Sequence, residues 1–303
     1  MKQEECALSE VVDVVGGRLV RDATFANLGF AIHEGNALLS WVEGKKFLPP
    51  ILKNKGISAV IASPDVMEAL PDGMGVLVHD EPRQAFYRLH NHLARATPFY
   101  ASHERTVIHP SAVVDAHASV ADTGVHIGAE AVIESGARLL PGVRVGARSI
   151  VRTGVVLGSQ GFQFFVDEDR RKSVDHVGGV ELGEDVEIQA NTHVARAIFR
   201  GATRIESDAK VDALVHVAHN VRIGSRTRIC AGVVIGGSVV MEEDVYIGPG
   251  ATITNCIRIG QGARITLGSV VVRSVLPGQH VTGHWAVSHD RFVKGFGRMT
   301  LSD

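Results

Sequence analysis

Aromatic residues are scarce in this chain: 303 residues include 2 Trp, 3 Tyr and 11 Phe, 5% in all. Globular cores draw much of their buried area from large rings, so this core must be built from smaller side chains. Cysteine is scarcer still. The three residues Cys6, Cys230 and Cys256 form no CxxC pair, and so sparse and odd a set argues against a disulfide framework and fits a reducing compartment. No run of about 18 apolar residues occurs, so no transmembrane segment is expected. The opening MKQEECALSEVVDVVGG is acidic and lacks the basic-then-apolar order of a secretory signal. A net charge of −2 gives no whole-chain field for nucleic acid or an anionic membrane. The expectation is a cytoplasmic protein that binds no nucleic acid.

What the chain has instead is glycine, 33 residues of it, together with valine, isoleucine and alanine in a repeat. From Ile205 an aliphatic side chain returns at every sixth position: Val211, Val217, Ile223, Ile229, Ile235, Met241, Ile247, Ile253, Ile259, Ile265 and Val271. An earlier stretch runs Ile127, Ile133, Leu139, Val145, Val151, Leu157, preceded by Ile108, Val114 and Val120 with a one-residue slip. A short third run is Leu182, Ile188, Val194. A period of six is neither helical nor that of an extended strand. It fits a triangular solenoid whose sides are short strands, with one aliphatic side chain pointing inward per side. Glycine often follows the aliphatic residue, as in IGSR, IGGS and IGPG, where it would serve left-handed corners. Three hexads make one coil, and coils should stack about 4.8 Å apart.

Two breaks interrupt the repeat. Residues 158–180, GSQGFQFFVDEDRRKSVDHVGGV, read as a charged loop carrying Phe162, Phe164 and Phe165, and five extra residues fall between Val194 and Ile205. Long excursions from a rigid scaffold commonly carry function. Residues 1–100 lack the hexad. Segments 37–42, 57–63 and 75–80 read as strands and 82–95 as a helix, which gives a small α/β domain. Pro277-Gly278 closes the solenoid, leaving residues 101–278 as the repeat domain and 279–303 as an extension with a short amphipathic helix at 288–299.

Candidate chemistry concentrates in VDALVHVAHNVRIG, residues 211–224. His219 falls two places after the inward Val217, so it is expected on a side wall. Gly237 lies one coil further on and should stack beside it. A base next to an accessible backbone N–H suits acyl transfer: one removes a proton from the attacking amine and the other holds the developing oxyanion.

The motifs GSQGF (158–162), GGVELGEDVEIQANT (178–192), VDALVHVAHNVRIG (211–224) and GHWAVSHDRF (283–292) resemble those of the UDP-3-O-acylglucosamine N-acyltransferases of lipid A synthesis. The likeness covers roughly the full length. It implies a left-handed parallel β-helix, a homotrimer with active sites between solenoids, and an N-terminal domain that binds uridine. It also implies no cofactor beyond a thioester co-substrate, with acyl carrier protein as donor and a nucleotide-linked amino sugar as acceptor. By the same resemblance His219 is the general base, Gly237 the oxyanion donor and Asp212 the support of His219, with Asn220 beside the substrate. Trp41 and Phe47 would stack the nucleobase.

The sequence also departs from the family. Cys256 stands where the family has a second histidine and reads as an inert buried thiol, although its position borders the substrate. Gly44 and Phe47 replace an Asn and a Tyr that contact uracil, and VARAIFR (194–200) replaces a DRG motif. Arg222, Arg226, Arg228, Arg258, Arg264, Arg291 and Lys294 are the basic candidates for docking an acidic carrier. Rival readings are an acetyl-CoA-dependent nucleotide-sugar acetyltransferase of surface polysaccharide synthesis and a scaffold that only binds a nucleotide sugar. A third is a zinc enzyme using His193, His216 and His219; two of these, three residues apart on a strand, should face apart.

Overall fold

A computed structural model describes residues 5–100, 104–283, 288 and 290. Apart from 288 and 290, the helix expected at 288–299, with Arg291 and Lys294, lies outside the described residues.

Strands of mostly two residues alternate with two-residue turns. Successive strands fall in rotation into three parallel sheets, of eight, eight and nine strands among the described residues. The result is a parallel β-helix of triangular section. In the regular coils each rung pairs with the residue 18 positions on, as His216 with Val234 and Val234 with Thr252. Each side buries two side chains, one more than the sequence reading allowed. The aliphatic residue of the hexad is joined by the small residue two positions before it: Val215 with Val217, Val221 with Ile223, Val233 with Ile235. Strand alternation supplies this second inward position, and the aliphatic period of six hides it because the site also accepts Ala, Ser and Thr. These pairs form one continuous core from Val125 to Val275.

In the regular coils the glycines that follow the aliphatic residue do not occupy left-handed corners. Those corners fall three residues after it and are filled by Arg226 (φ 59°), Gly232 (φ 70°), Ser238 (φ 59°) and Asp244 (φ 60°). The glycine is required for another reason: a Cβ on Gly224 would lie 2.5 Å from the Glu242 carbonyl carbon, and one on Gly236 would lie 2.6 Å from Asn255 N. Stacked coils approach too closely there for any side chain.

The N-terminal unit has a five-stranded sheet in the order Arg18–Arg21, Gly75–Val78, Ile57–Ala62, Leu38–Val42, Asn27–Leu28. Its strands alternate between two cores. Leu39, Ala59, Ile61 and Leu77 pack beneath the helices Leu8–Val15 and Pro82–Ala96, while Leu38, Val60, Ala62, Val76 and Val78 face the helix Leu48–Lys53.

The two breaks in the repeat join this unit to the solenoid. Val156 pairs with His193, 37 residues on. The excess chain forms an antiparallel hairpin, Phe164–Asp167 with Arg170–Ser173, turning at Glu168 (φ 48°) and Asp169 (φ 61°), a pattern of two-residue hairpin turns. The segment expected to be a loop is therefore ordered by its own ladder. Phe165 and Val174 from it, and Ile198 and Phe199 from the five-residue insertion, enter the core formed by Phe86, Tyr87 and Leu89. Polar contacts fix the dock: Asp167 receives Arg88 Nη2 at 2.7 Å and Lys172 Nζ at 2.6 Å, and Arg95 bridges both oxygens of Asp175 at 2.7 and 2.9 Å. Arg200 donates to the carbonyls of Ala26 and Phe99.

Candidate active site

A cavity of roughly 730 Å³ opens where the N-terminal unit meets the solenoid. Phe30, Ile32, Trp41, Phe47, Ile51 and Tyr87 line it from one side; His216, His219, Gly237, Asn255 and Cys256 line it from the other, with Gly161 and Phe162 from the inserted segment.

His219 sits in the turn after Val217, at a corner of the prism and not on a side wall. The strand is only two residues long and ends before it. A Cβ on Gly237 would lie 2.5 Å from His219 Cε1, so the imidazole rests directly on the Gly237 backbone. On its other side comes the insertion: a Cβ on Gly161 would lie 3.2 Å from His219 Cδ2 and 2.6 Å from His176 Nε2. The ring is held between two glycines from distant parts of the chain, neither of which has room for a side chain.

Asn220 sets its protonation. Asn220 Oδ1 accepts from Ile198 N at 3.1 Å, which identifies that atom as the oxygen, and the same oxygen lies 3.1 Å from His219 Nδ1. Nδ1 therefore carries the proton and donates it, leaving the Nε2 lone pair free as a base. Burial holds the imidazole below the ordinary histidine value, although the Asn220 hydrogen bond acts in the opposite direction. Sequence reasoning assigned Asn220 to substrate; the structure gives it this second position, tied to the insertion.

The Gly237 N–H meets no acceptor among the described residues, while its neighbours are paired: Gly236 N with Ile253 O, Ser238 N with His219 O. An unpaired donor at a cavity wall is what a developing oxyanion requires, and the neutral imidazole beside it can take the proton of an attacking nucleophile.

Asp212 is not brought to His219. It lies at the preceding corner, where its carboxylate accepts from Ala213 N at 2.7 Å and Ala231 N at 3.1 Å, beside a separate shallow pocket shared with Lys210 and Arg228. Seven residues advance the chain past a corner, so the two side chains leave the prism in different directions. Trp41 and Phe47 both border the cavity, but Trp41 is packed on Phe86 and Phe30 with centroids at 4.6 and 5.4 Å, whereas Phe47 is 45% exposed. Cys256 is exposed and lines the cavity; it is not the buried thiol expected, because its left-handed corner (φ 60°) turns it outward.

His216 and His219 line the same cavity, contrary to the expectation from strand alternation, since the corner between them redirects the chain. His193 pairs with His216, Nδ1 to Nδ1 at 3.1 Å. Among the described residues no three His, Cys, Asp or Glu side chains are grouped to hold a metal ion. Of the basic candidates, Arg222 pairs with Glu34, Arg226 with Glu243 and Asp244, and Arg258 with Glu242, while Arg228 and Arg264 flank the ring of Tyr246. His176, whose Nε2 is buried without a partner behind His219, carries no sequence signal.

Residues 202–237 match the family model "Bacterial transferase hexapeptide (six repeats)". A UDP-3-O-acylglucosamine N-acyltransferase of Legionella pneumophila is 34% identical over 321 aligned positions, covering 93% of this chain and 89% of that one. The chain belongs to the UDP-3-O-acylglucosamine N-acyltransferase family. Another UDP-3-O-acylglucosamine N-acyltransferase, from Pseudomonas syringae pv. tomato, is 39% identical over 161 positions; that match spans 42% of this chain and 44% of the relative. Among solved structures, a UDP-N-acetylglucosamine acyltransferase from Campylobacter jejuni covers 65% of this chain and 86% of its own, at 21% identity and a TM-score of 0.47. No helix among the described residues is long and apolar enough to cross a membrane.

Proposed function

We propose that this chain transfers a 3-hydroxyacyl group from a carrier-protein thioester to the amine of a UDP-linked amino sugar; its relatives are named UDP-3-O-acylglucosamine N-acyltransferases. One observation carries the reading: His219 Nε2 is unprotonated and lies beside the unpaired Gly237 N–H, at the wall of a cavity large enough for a nucleotide sugar. The amine attacks the thioester carbon while His219 removes its proton. The Gly237 N–H stabilises the oxyanion, and the C–S bond breaks to release the thiol. Phe47 and Trp41 supply apolar surface for the nucleobase, and Asn255 and Cys256 border the acceptor. A homotrimer in the cytoplasm is part of the proposal. Within one chain Asp212 does not reach His219, so any support it gives comes from a neighbouring protomer.

The test is release of free thiol from purified protein given a UDP-amino sugar and, separately, hydroxyacyl carrier protein, hydroxyacyl-CoA or acetyl-CoA. Transfer from hydroxyacyl donors, lowered about 10²–10⁴-fold in His219→Ala, is expected. Transfer from acetyl-CoA alone would move the chain to the polysaccharide acetyltransferases. Undiminished turnover in His219→Ala would reject the site.

A further inference from the structure

Three polar side chains beside the cavity have no part in that chemistry. Ser159 Oγ is hydrogen-bonded to His193 Nε2, and His193 Nδ1 lies 3.1 Å from His216 Nδ1, the two rings parallel to within 5°. The solenoid builds the row. His193 and His216 are register partners on adjacent rungs of one sheet, and an irregularity in pairing between Leu157 and Ser159 brings Ser159 within reach of the next rung. Valines bound the row on the same face, Val156 pairing with His193 and Val234 with His216. The charged or titratable groups around it are His219 at the following corner, His176 against His219, and Arg196, whose guanidinium is committed to the Gly158 and Pro141 carbonyls. His216 lines the cavity; Ser159 is partly open to solvent.

We propose that Ser159, His193 and His216 form a proton wire that delivers a proton to the leaving thiolate; the inference rests on the acyl-transfer reading. Two arrangements of the same protons satisfy every hydrogen bond in the row. In one, Ser159 Oγ–H donates to His193 Nε2, His193 Nδ1–H donates to His216 Nδ1, and His216 Nε2–H faces the cavity as a donor. In the other every bond is reversed, and His216 Nε2 is bare. When the C–S bond breaks, the thiolate takes the His216 Nε2 proton. His216 Nδ1 then takes the proton of His193 Nδ1, His193 Nε2 takes that of Ser159, and Ser159 recovers one from solvent water. The amine proton on His219 leaves separately, so one proton enters and one departs per turnover. The row regains its first arrangement when His216 Nε2 takes a proton from water in the emptied cavity and Ser159 releases one to solvent. Burial keeps His193 and His216 below the ordinary histidine value, which favours the neutral rings the relay needs.

The test compares two thioesters of one hydroxyacyl group, that of the carrier protein and that of a nitrothiophenol, whose thiolate departs without needing a proton. His193→Gln keeps a donor and an acceptor in place but relays no proton. It should slow transfer from the carrier-protein thioester roughly ten- to a hundredfold and leave the aryl thioester within about twofold of wild type. Ser159→Ala should show the same donor dependence with smaller amplitude, because water substitutes for a solvent-side hydroxyl. Equal slowing with both donors, or slowing with neither, while wild type transfers normally, overturns the wire alone. Wild-type protein that acylates no amine from either donor overturns the acyl-transfer reading and the wire with it.

Discussion

The regular coils from Ile205 to Val271 and the two insertions that interrupt the solenoid contribute opposite things to one site. The coils set distances: an 18-residue rung places Gly237 under His219 whatever the rest of the chain does. They enclose nothing, since every inward position is filled by a packed side chain. The insertions have no repeat and little core of their own, yet Gly161 covers the imidazole, Ile198 N orients Asn220, and Phe165 and Phe199 anchor the unit that forms the far wall of the cavity. Repetition gives precision, and irregular chain gives the enclosure.

Substitutions in the two regions should therefore fail differently. The largest effect is expected in the coils. Ile235 is fully buried, and Ile235→Ala should cost about 2–5 kcal/mol, read as a lower denaturant midpoint. Any folded fraction should keep an unchanged KM; a KM that rises with the stability loss would break the contrast. Gly161→Ala should do the reverse. Its methyl meets His176 and His219, so kcat should fall roughly tenfold or more with a smaller melting loss than that of Ile235→Ala. A melting loss as large as that of Ile235→Ala would show that the cover is structural after all.

Asp167→Asn comes next, at about 1–2 kcal/mol, visible as faster hydrogen exchange confined to the hairpin. Lys172 first and Arg88 second hold the Asp167 carboxyl below the usual carboxylate range. A carboxyl depressed in the folded state stabilises above its unfolded value and loses that contribution as pH falls through the folded one. Hairpin protection should accordingly hold at neutral pH and weaken below about pH 4. The smallest effect concerns the base. Because burial depresses His219, the acidic limb of kcat/KM should fall below about pH 6.5. Asn220→Asp places a carboxylate beside Nδ1 and should raise that limb by about one unit; an unmoved limb would mean that another group controls it.

The sequence showed the two halves unequally for a physical reason. The solenoid core is local in period, so Val217, Ile223 and Ile235 announce one another at spacings of six, and the contact of His219 with Gly237 follows by counting. The five-residue interruption before Ile205 was legible as missing register. Its partners were not, because Phe199 packs on Phe30 and Phe86 and Arg200 bonds to Ala26 and Phe99, residues with no periodic relation to it. The second inward column leaves no mark in the aliphatic period because Val, Ala, Ser and Thr all fit there. The corner position of His219, the separation of Asp212 and the exposure of Cys256 share one origin. Each depends on where a two-residue turn swings the chain, which a linear pattern does not record.

Since each rung of the prism is nearly interchangeable with the next, length and chemistry are independent variables in this architecture. A duplicated set of 18 residues placed after Met241 would extend the rod and leave the reacting groups untouched. The same duplication placed between Ile205 and Val217 would carry the imidazole one storey, about 4.8 Å, away from its lid. The distal end can thus lengthen or shorten without touching the chemistry, while the interval between the tethered storey and the histidine is the gauge that sets it.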